Sequence, residues 1–486
     1  MTNMQRESNP QANYTEAYRP QYHITPESGW LNDPNGMVYY HGRYHFFYQY
    51  YPDSKFPADI KYWGHVSSED PAHWEQHPVA LAPDAYGSIW SGSAVVDWNN
   101  TSGLFDDTAD KTGLVAYYTS FELGTGRQRQ CMAYSTDDGI TWQKYKGGAP
   151  VIDTDDDPLS DGAFRDPKVF WHEESGQWMM IVAGGPVRFY SSSNLIDWKP
   201  QGMQPAITTE CPDFYRLPVD GDESRQKWVL SGAGVWYMIG DFKEVDGLWT
   251  FVPDSDQRYN FNFGPDVYAG QTFSDVPGRR ILMEWMVHIG YPFETGSITD
   301  PWNGAITLPY EIRLETREEE IKLVQEPVEE LADLRSKEHS WENLLLTEDT
   351  PNPLADLQLD KCEILARIDM SGAEEAAFDL RLGNNQVTTV SYNRLTGMLS
   401  VDRRASGANP KPDFPDVYTK SIKAQNGIIE LHMFLDWSSL EVFADGSVCT
   451  ALIYPDRDST GLGLRVAGGT AKVERLQIFE QASMFR

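Results

Sequence analysis

The chain has 486 residues, which is more than one hydrophobic core usually organises, so two domains are expected. It carries 40 Lys and Arg against 72 Asp and Glu, a net charge of −32, which argues against nucleic acid and anionic membranes as partners. The charge also disfavours a phosphorylated substrate, although a local basic pocket could overrule it, and its simplest role is solubility.

Aromatic residues and turn formers dominate the composition. With 16 Trp, 25 Tyr, 21 Phe, 39 Gly and 30 Pro, the chain favours many short strands, and we predict an all-β protein. The segment Met1–Pro20 is polar, so no signal peptide is expected, and the sequence has no apolar run long enough for a membrane span.

The cysteines and histidines give little sign of metal or disulfide chemistry. Four cysteines are widely spaced and form no CxxC motif, which favours reduced thiols and a cytoplasmic location: Cys131, Cys211, Cys362 and Cys449. The ten histidines form no ligand pattern, and nothing in the sequence requires a metal or another cofactor. The oligomeric state is not indicated.

The heptad Trp30–Gly36 (WLNDPNG) places one carboxylate, Asp33, in what reads as a tight polar turn before the strand Met37–Tyr40. Aromatic residues surround it, ending with Phe46–Tyr50. A carboxylate among aromatic rings suits sugar chemistry, in which hydrolysis uses paired carboxylates. A well-capped surface turn is the alternative.

A weak repeat runs through residues 29–314. In each copy a Trp follows four positions after an acidic or amide residue, at Trp74, Trp142 and Trp198. Repeats of this length, each holding about four strands, are typical of a β-propeller, and the span would hold about five blades. Residues 1–28 would form an N-terminal arm.

The charged stretch 315–347 is predicted to be a linker with a short helix beginning at Pro327. Alternating strands follow it, with a hairpin signal at Ala444–Ser447. Residues 348–486 are therefore predicted to form a second all-β domain, a β-sandwich.

Two further acids stand in apolar surroundings rather than in charge runs. Asp166 follows Phe164 and Arg165 at the start of a strand, and Glu210 precedes Cys211. Loops from different blades meet at a propeller axis, so these acids could converge with Asp33. A salt-bridged strand cap is an equal alternative for Arg165 and Asp166, and a strand-edge acid beside a buried thiol for Glu210.

Several motifs, in this order, resemble the β-fructofuranosidases of glycoside hydrolase family 32, the invertase, inulinase and levanase group. They are Trp30–Gly36, Trp90–Ser93, Phe164–Pro167, Glu210–Pro212, Trp302–Pro309 and Asp436–Phe443. The resemblance covers nearly the whole chain and implies a five-bladed β-propeller followed by a C-terminal β-sandwich.

The resemblance also implies roles for individual residues. Asp33 would be the nucleophile, Glu210 the general acid/base, and Asp166, with Arg165 beside it, the acid that holds fructose hydroxyls. The implied substrate-binding residues are Asn32, Gln49, Ser91, Trp63, Trp90 and Trp302. Carboxylates would also stabilise the positive charge of the oxocarbenium-like transition state.

The sequence departs from the family pattern at Tyr51, Phe56, Trp90 and Tyr310. These positions are expected at the substrate rim, with Phe56 completing the aromatic surroundings of the fructose. They put the preferred chain length in doubt, not the reaction.

The expected function is retaining hydrolysis of terminal β-D-fructofuranosides, with sucrose or fructo-oligosaccharides as the substrate partner. Exo-levanase or exo-inulinase activity, fructosyl transfer and sucrose 6-phosphate hydrolysis are alternatives within the same chemistry. A non-catalytic fructan-binding protein is an alternative of another class.

Overall fold

The computed structural model describes residues 14–156, 163–290 and 292–485 of the chain. Strands make up nearly all of its regular structure, as the composition predicts. They form a five-bladed β-propeller followed by a β-sandwich, which confirms the predicted fold class. Within the described residues, no helix is both long and apolar enough to cross a bilayer.

The first three blades each begin with the strand nearest the propeller axis. Blade 1 consists of β1 Gly29–Tyr40, β2 Arg43–Tyr51, β3 Tyr62–Ser68 and β4 Glu75–Leu81. Blade 2 consists of β5 Ser88–Val96, β6 Leu114–Phe121, β7 Gln128–Ser135, β8 Gln143–Lys144 and β9 Pro150–Ile152. Blade 3 consists of β10 Arg165–His172, β11 Gln177–Ala183, β12 Gly185–Ser192 and β13 Lys199–Thr209.

Blades 4 and 5 are continuous with each other, because one parallel pair, Val219 with Leu314, joins them into a single sheet. Blade 4 consists of β14 Pro212–Val219, β15 Asp222–Gly232, β16 Trp236–Val245, β17 Leu248–Pro253 and β18 Tyr259–Asn260. The last segments of the propeller are β19 Tyr268–Thr272, β20 Ile281–Met286, β21 Trp302–Asn303, β22 Ala305–Ile306, β23 Tyr310–Arg317 and β24 Glu320–Pro327. Strand β21 pairs in parallel with β1, which fastens the end of the propeller to its first blade.

The sequence repeat marks one structural position. All three repeated tryptophans lie in the hairpin between the third and fourth strands of blades 1 to 3: Trp74, Trp142 and Trp198. The preceding acidic or amide residue closes that hairpin, since Asp70 Oδ1 accepts a hydrogen bond from the Ala72 N–H at 2.8 Å. Asn194 Oδ1 does the same for Ile196 at 3.0 Å, which is why either residue type serves.

The β-sandwich consists of β25 Arg335–Leu346, β26 Cys362–Asp369, β27 Glu375–Gly383, β28 Gln386–Asn393, β29 Met398–Ala405, β30 Val417–Ser421, β31 Ile428–Leu435, β32 Ser439–Ala444, β33 Ser447–Leu452, β34 Gly461–Ala467 and β35 Ala471–Gln481. One sheet has the order β25-β35-β26-β31-β32-β33 and the other β30-β29-β28-β27-β34. The predicted hairpin joins β32 to β33, with positive φ at Asp445 (48°) and Gly446 (69°). Short 3₁₀ helices lie at Tyr145–Gly148, Thr154–Asp156, Glu294–Ser297 and Glu329–Leu334.

The prediction of a linker over residues 315–347 is wrong. Strands β23 and β24 form an antiparallel hairpin that extends blade 5, and β25 pairs with β35 inside the sandwich. Only the predicted short helix, Glu329–Leu334, separates the two domains. The charged residues misled the prediction because they sit on solvent-facing positions of these strands.

The N-terminal arm is fixed between the two domains. His23 lies 2.8 Å from Asp436 and 3.0 Å from Glu441, and all three side chains are fully buried. Burial lowers the pKa of His23, but the hydrogen bonds that its ring donates to both carboxylates outweigh it and raise that pKa to about 9. The motif Asp436–Phe443 therefore serves to clamp the arm onto the sandwich; residues 1–13 of the predicted arm lie outside the described residues.

The propeller axis is closed by a buried ion pair. Lys168 Nζ, on β10, lies 3.0 Å from Asp213 Oδ1, on β14, and donates a hydrogen bond to the Thr272 carbonyl oxygen at 2.8 Å. These residues follow Asp166 and Glu210 along the same inner strands. Whatever space lies above them is therefore blind at its lower end.

Candidate active site

Three carboxylates from three blades meet at one end of the propeller axis. Asp33 lies on β1, Asp166 on β10, and Glu210 just before β14. All three line one cavity of about 620 Å³. The convergence predicted from the repeat is therefore observed.

Each of these acids stands where an inner strand departs from regular pairing. The heptad around Asp33 is not a turn before a strand: it belongs to β1, with one shift in register between Leu31 and Pro34, which spans Asp33, and another between Asn35 and Val38. Asp166 has a φ of 61° within the bulge that opens β10, and Cys211, next to Glu210, has a φ of 40°. A bulge turns a side chain away from the ladder, and here it turns the acids toward the axis.

Asp33 is held by donors from two blades. Ser91 Oγ, on β5, donates to Asp33 Oδ2 at 2.6 Å, and the Asn32 amide donates to Oδ1 at 3.1 Å. The Trp30 indole N–H in turn donates to Asn32 Oδ1 at 2.8 Å, which fixes the orientation of the amide. The carboxylate is thus pre-positioned with both oxygens hydrogen-bonded.

Asp166 is the most deeply buried of the three acids, with 6% of its surface exposed. Its Oδ2 accepts the Cys211 backbone N–H at 2.9 Å, and its own N–H donates to Thr119 Oγ1 at 2.9 Å. Burial raises the pKa of Asp166 to about 6, although Arg165 and the Cys211 N–H act in the opposite direction.

Both carboxylate oxygens of Glu210 accept hydrogen bonds from neighbouring side chains. The Tyr268 hydroxyl donates to Oε2 at 2.6 Å, and Arg165 Nη2 lies 2.5 Å from Oε1. Burial would raise the pKa of Glu210, but these two donors outweigh it and keep the pKa below its ordinary value. Arg165 is thus primarily the partner of Glu210, since its Nε lies 3.7 Å from Asp166.

The Cys211 thiol lies between two of the acids. Its Sγ is 3.4 Å from Asp33 Oδ2 and 3.7 Å from Asp166 Oδ2. Burial first, and then the nearby carboxylates, raise the pKa of this thiol well above its ordinary range. The thiol stays protonated and acts as a donor toward the carboxylates.

Six of the eight predicted binding residues line the cavity: Asn32, Gln49, Phe56, Trp90, Ser91 and Arg165. Two do not. Trp63 is 1% exposed and lies beneath the cavity, where its indole donates to the Trp90 carbonyl oxygen at 3.0 Å. Trp302 is 3% exposed and packs against the Arg19 guanidinium, 4.8 Å from its ring centre.

Tyr310 was also expected at the substrate rim, and the structure corrects this. Its ring is fully buried at the junction of the two domains, and its hydroxyl donates to Glu441. The departure from the family pattern at this position therefore concerns domain packing and not the substrate.

Sequence reasoning missed several residues of the cavity. They are Asp59, Lys61, Cys211, Tyr268 and Trp285, together with the apolar rim residues Ile289, Pro292 and Phe293. The rim residues leave a signal only in three dimensions, because Ile289 and Phe293 are 49% and 54% exposed, which is unusual for such side chains. Trp285 sits in a strand and reads as an ordinary core residue.

Metal chemistry has no support in the described part of the chain, where no three His, Cys, Asp or Glu side chains are arranged to hold an ion. The cavity instead offers the carboxylates of Asp33 and Glu210, each hydrogen-bonded at both oxygens. Such a set can attack an acetal carbon and protonate its leaving oxygen.

Comparison with known families decides the assignment. The profile of the glycosyl hydrolases family 32 N-terminal domain matches residues 23–327, and that of the family 32 C-terminal domain matches residues 330–480. The chain belongs to glycosyl hydrolase family 32. This confirms the family resemblance noted in the sequence, and this family 32 protein is a glycoside hydrolase.

Individual relatives agree with the family. The enzyme is 42% identical over 96% of its length to a levanase of Bacillus subtilis, of which it covers 70%. It is 38% identical over 97% of its length to a fructan β-fructosidase of Streptococcus mutans, but spans only 34% of that longer protein. The crystal structure of the exo-inulinase of Aspergillus awamori matches with a TM-score of 0.86 at 32% identity, covering 97% of this chain and 100% of that one.

Proposed function

We propose that this enzyme is a retaining, exo-acting β-fructofuranosidase that releases terminal fructose from sucrose and fructo-oligosaccharides. The observation that carries the proposal is the meeting of Asp33, Asp166 and Glu210 in one cavity. The buried Lys168–Asp213 pair farther along the same inner strands supports exo action, because a cavity closed on that side accepts the end of a chain and not its middle.

In the proposed reaction, Asp33 attacks the anomeric carbon of fructose while Glu210 protonates the leaving oxygen. A covalent fructosyl-enzyme forms and the leaving sugar departs with that proton. Glu210, now a carboxylate, takes a proton from water, and the resulting hydroxide oxygen attacks the same carbon and frees Asp33. Asp166, fixed by the Cys211 N–H, accepts hydrogen bonds from fructose hydroxyls.

Fructans are the second candidate substrate, as the names of the relatives indicate levan and inulin. The exposed apolar rim supports this candidate. Phe56 on one loop and Phe293 on another are 43% and 54% exposed beside the cavity, which suits contact with sugar units beyond the terminal one. A phosphorylated sugar is a further alternative, because Arg165 is neutralised by Glu210 but Lys61 also lines the cavity.

Product analysis on sucrose, a short inulin oligomer and levan, side by side, tests the substrate. Fructose should be the first product from each, initially as the β-anomer by NMR. Oligosaccharides longer than the substrate would indicate fructosyl transfer instead. Measurable fructoside binding without turnover would indicate a non-catalytic protein, and faster turnover of sucrose 6-phosphate than of sucrose would reassign the substrate.

Two variants test the residue roles. Asp33→Asn should abolish fructose release, and Glu210→Gln should do so for natural substrates but spare the first step on a fructoside whose leaving group needs no proton. Full activity of either variant on sucrose would refute the assigned roles.

We also propose a cytoplasmic location, supported by four buried, unpaired cysteines and testable by cell fractionation.

A further inference from the structure

Lys61 is a buried lysine that faces the cavity. It is 8% exposed, yet it lines the same space as the three acids. Its backbone is fixed between blades 1 and 2, because its N–H donates to Ser88 Oγ at 2.6 Å and its carbonyl accepts the Ile89 N–H at 3.0 Å. The side chain therefore extends from a backbone segment that hydrogen bonds hold in place.

The ammonium of Lys61 has no hydrogen-bond acceptor and no carboxylate within ion-pair distance among the residues that the structure describes. Other buried or half-buried lysines have partners: Lys168 with Asp213 at 3.0 Å and Lys144 with Asp84 at 2.5 Å. Most of the side chain is buried, but its ammonium opens to the cavity, where a ligand oxygen can meet it. Nζ lies 5.6 Å from the centre of the Trp30 ring.

The charge of Lys61 opposes the proposed chemistry. Positive charge develops on the sugar ring in the transition state, and a cation beside it raises the energy of that state. The loss of this positive charge does not destabilise the transition state, so removing Lys61 should not slow the chemical step. Its value must lie in binding, where three N–H donors can meet oxygens of the ligand.

We propose that Lys61 is a substrate-binding residue whose ammonium donates hydrogen bonds to hydroxyl oxygens of the fructosyl unit held against Asp33. The inference rests on the proposed function, since it takes the ligand to be a fructoside. It adds a second cationic donor, besides Arg165, to a cavity whose other polar lining groups include carboxylates, amides and hydroxyls.

The pKa of Lys61 predicts how ligand affinity should depend on pH. Burial lowers the pKa of Lys61 to about 8, against the opposing influence of Asp33 and Asp59, its charged neighbours. The other charged groups lining the cavity are Arg165, Asp166 and Glu210. A bound hydroxyl favours the ammonium, so ligand affinity should fall by up to about tenfold per pH unit above pH 8, a range separate from the titration of Asp166, whose pKa is about 6.

Fructose binding to the full-length protein, followed by calorimetry or tryptophan fluorescence at pH 6, 7 and 9, tests the inference. Lys61→Met should weaken fructose binding about tenfold or more at pH 6 and remove the decline above pH 8. Lys61→Arg keeps the charge, so it should retain part of the affinity without the decline. On sucrose, Lys61→Met should raise KM with little change in kcat.

Lys144→Met is the matched control, because Lys144 is also partly buried but pairs with Asp84 away from the cavity. It should bind fructose as the wild type does at every pH. Unchanged affinity and pH dependence in Lys61→Met would overturn the inference, and so would a fall in kcat alone. If Lys61→Met fails to fold, Lys61→Arg still decides, since a decline above pH 8 in that variant would equally overturn it. Wild-type protein that neither binds fructose nor cleaves any fructoside would instead refute the proposed function.

Discussion

The Tyr268 hydroxyl donates a 2.6 Å hydrogen bond to Glu210 Oε2, while Arg165 holds the opposite oxygen at 2.5 Å. Both donors stabilise the carboxylate and keep the pKa of Glu210 below its ordinary value despite burial. A general acid must instead carry a proton. In the proposed reaction, the free cavity therefore suits the step in which Glu210 accepts a proton from water, and substrate would have to weaken one of these contacts before the first step.

Tyr268→Phe removes one donor and should raise the pKa of Glu210. The alkaline limb of kcat/KM should move to higher pH by about half to one unit, because part of the carboxylate's stabilisation is lost. A pH–rate profile on sucrose measures this. Tyr259→Phe, which alters a tyrosine of blade 4 that stacks on Tyr237, should leave the profile unchanged. Superimposable profiles for Tyr268→Phe and wild type would show that Tyr268 does not tune the acid.

Asp166→Asn should inactivate the enzyme and stabilise its fold at neutral pH. Burial raises the folded-state pKa of Asp166 to about 6, above its value of about 4 in the unfolded chain, so the folded state binds the proton more tightly. Wild-type stability therefore falls as pH rises from 4 to beyond 6. Denaturant unfolding should find the variant more stable by about 1–3 kcal/mol at pH 7.5, with a smaller gain at pH 4.5. An equal gain at both values would contradict the assigned cause.

Substitutions at two tryptophans should distinguish a role in substrate binding from a role in stability. Trp285 lines the cavity, whereas Trp302 packs on Arg19 away from it. Trp285→Phe should lower kcat/KM on sucrose about tenfold with a modest change in melting temperature. Trp302→Phe should leave kinetics intact and cost about 1–3 kcal/mol in unfolding free energy, because it opens space in the core. The reverse pattern would restore Trp302 as a substrate contact.

The clamp around His23 should make stability depend on alkaline pH. The folded-state pKa of His23 is about 9, above that of a free histidine, so its contribution is complete below about pH 6.5 and is lost as pH rises through 9. Melting temperature should decline over that range in the wild type and less steeply in His23→Gln. At pH 7 the variant should lose about 3–5 kcal/mol, since Asp436 and Glu441 stay buried without their partner. A variant as stable as wild type at pH 7 would exclude this clamp as a main support.

The sequence revealed the propeller because each hairpin closes on the same local device, an acidic or amide side chain followed by a tryptophan. The sequence did not predict the hairpin of β23 and β24. The buried residues Leu323 and Val324 stand among charged residues there, so the segment was misread as a linker. The hairpin belongs to blade 5 because β23 pairs with β20, a contact that the local sequence does not show.

The acids of the site were found because they stand apart from charge runs and match known motifs. Lys61 and Trp285 were not predicted as cavity residues, because a lone lysine after a loop and a tryptophan in a strand carry no local sign of a binding role. Both residues come to line the cavity only when other blades pack around them. Trp63 and Trp302 were misplaced because the sequence does not show where a ring points: the Trp63 indole donates to the Trp90 carbonyl oxygen, and the Trp302 ring packs on Arg19.

The buried Lys168–Asp213 pair lies farther along the inner strands that carry the acids, so in the proposed function the chain enters the cavity from the opposite end. A released fructose must leave by the path on which the chain entered. A polymer cannot slide forward into the site while its cleaved end is still inside, so it must withdraw after every cut. Degradation of a long fructan by this enzyme would then be distributive: many chains shorten together by one unit at a time, and no chain is consumed to its end before the next is started.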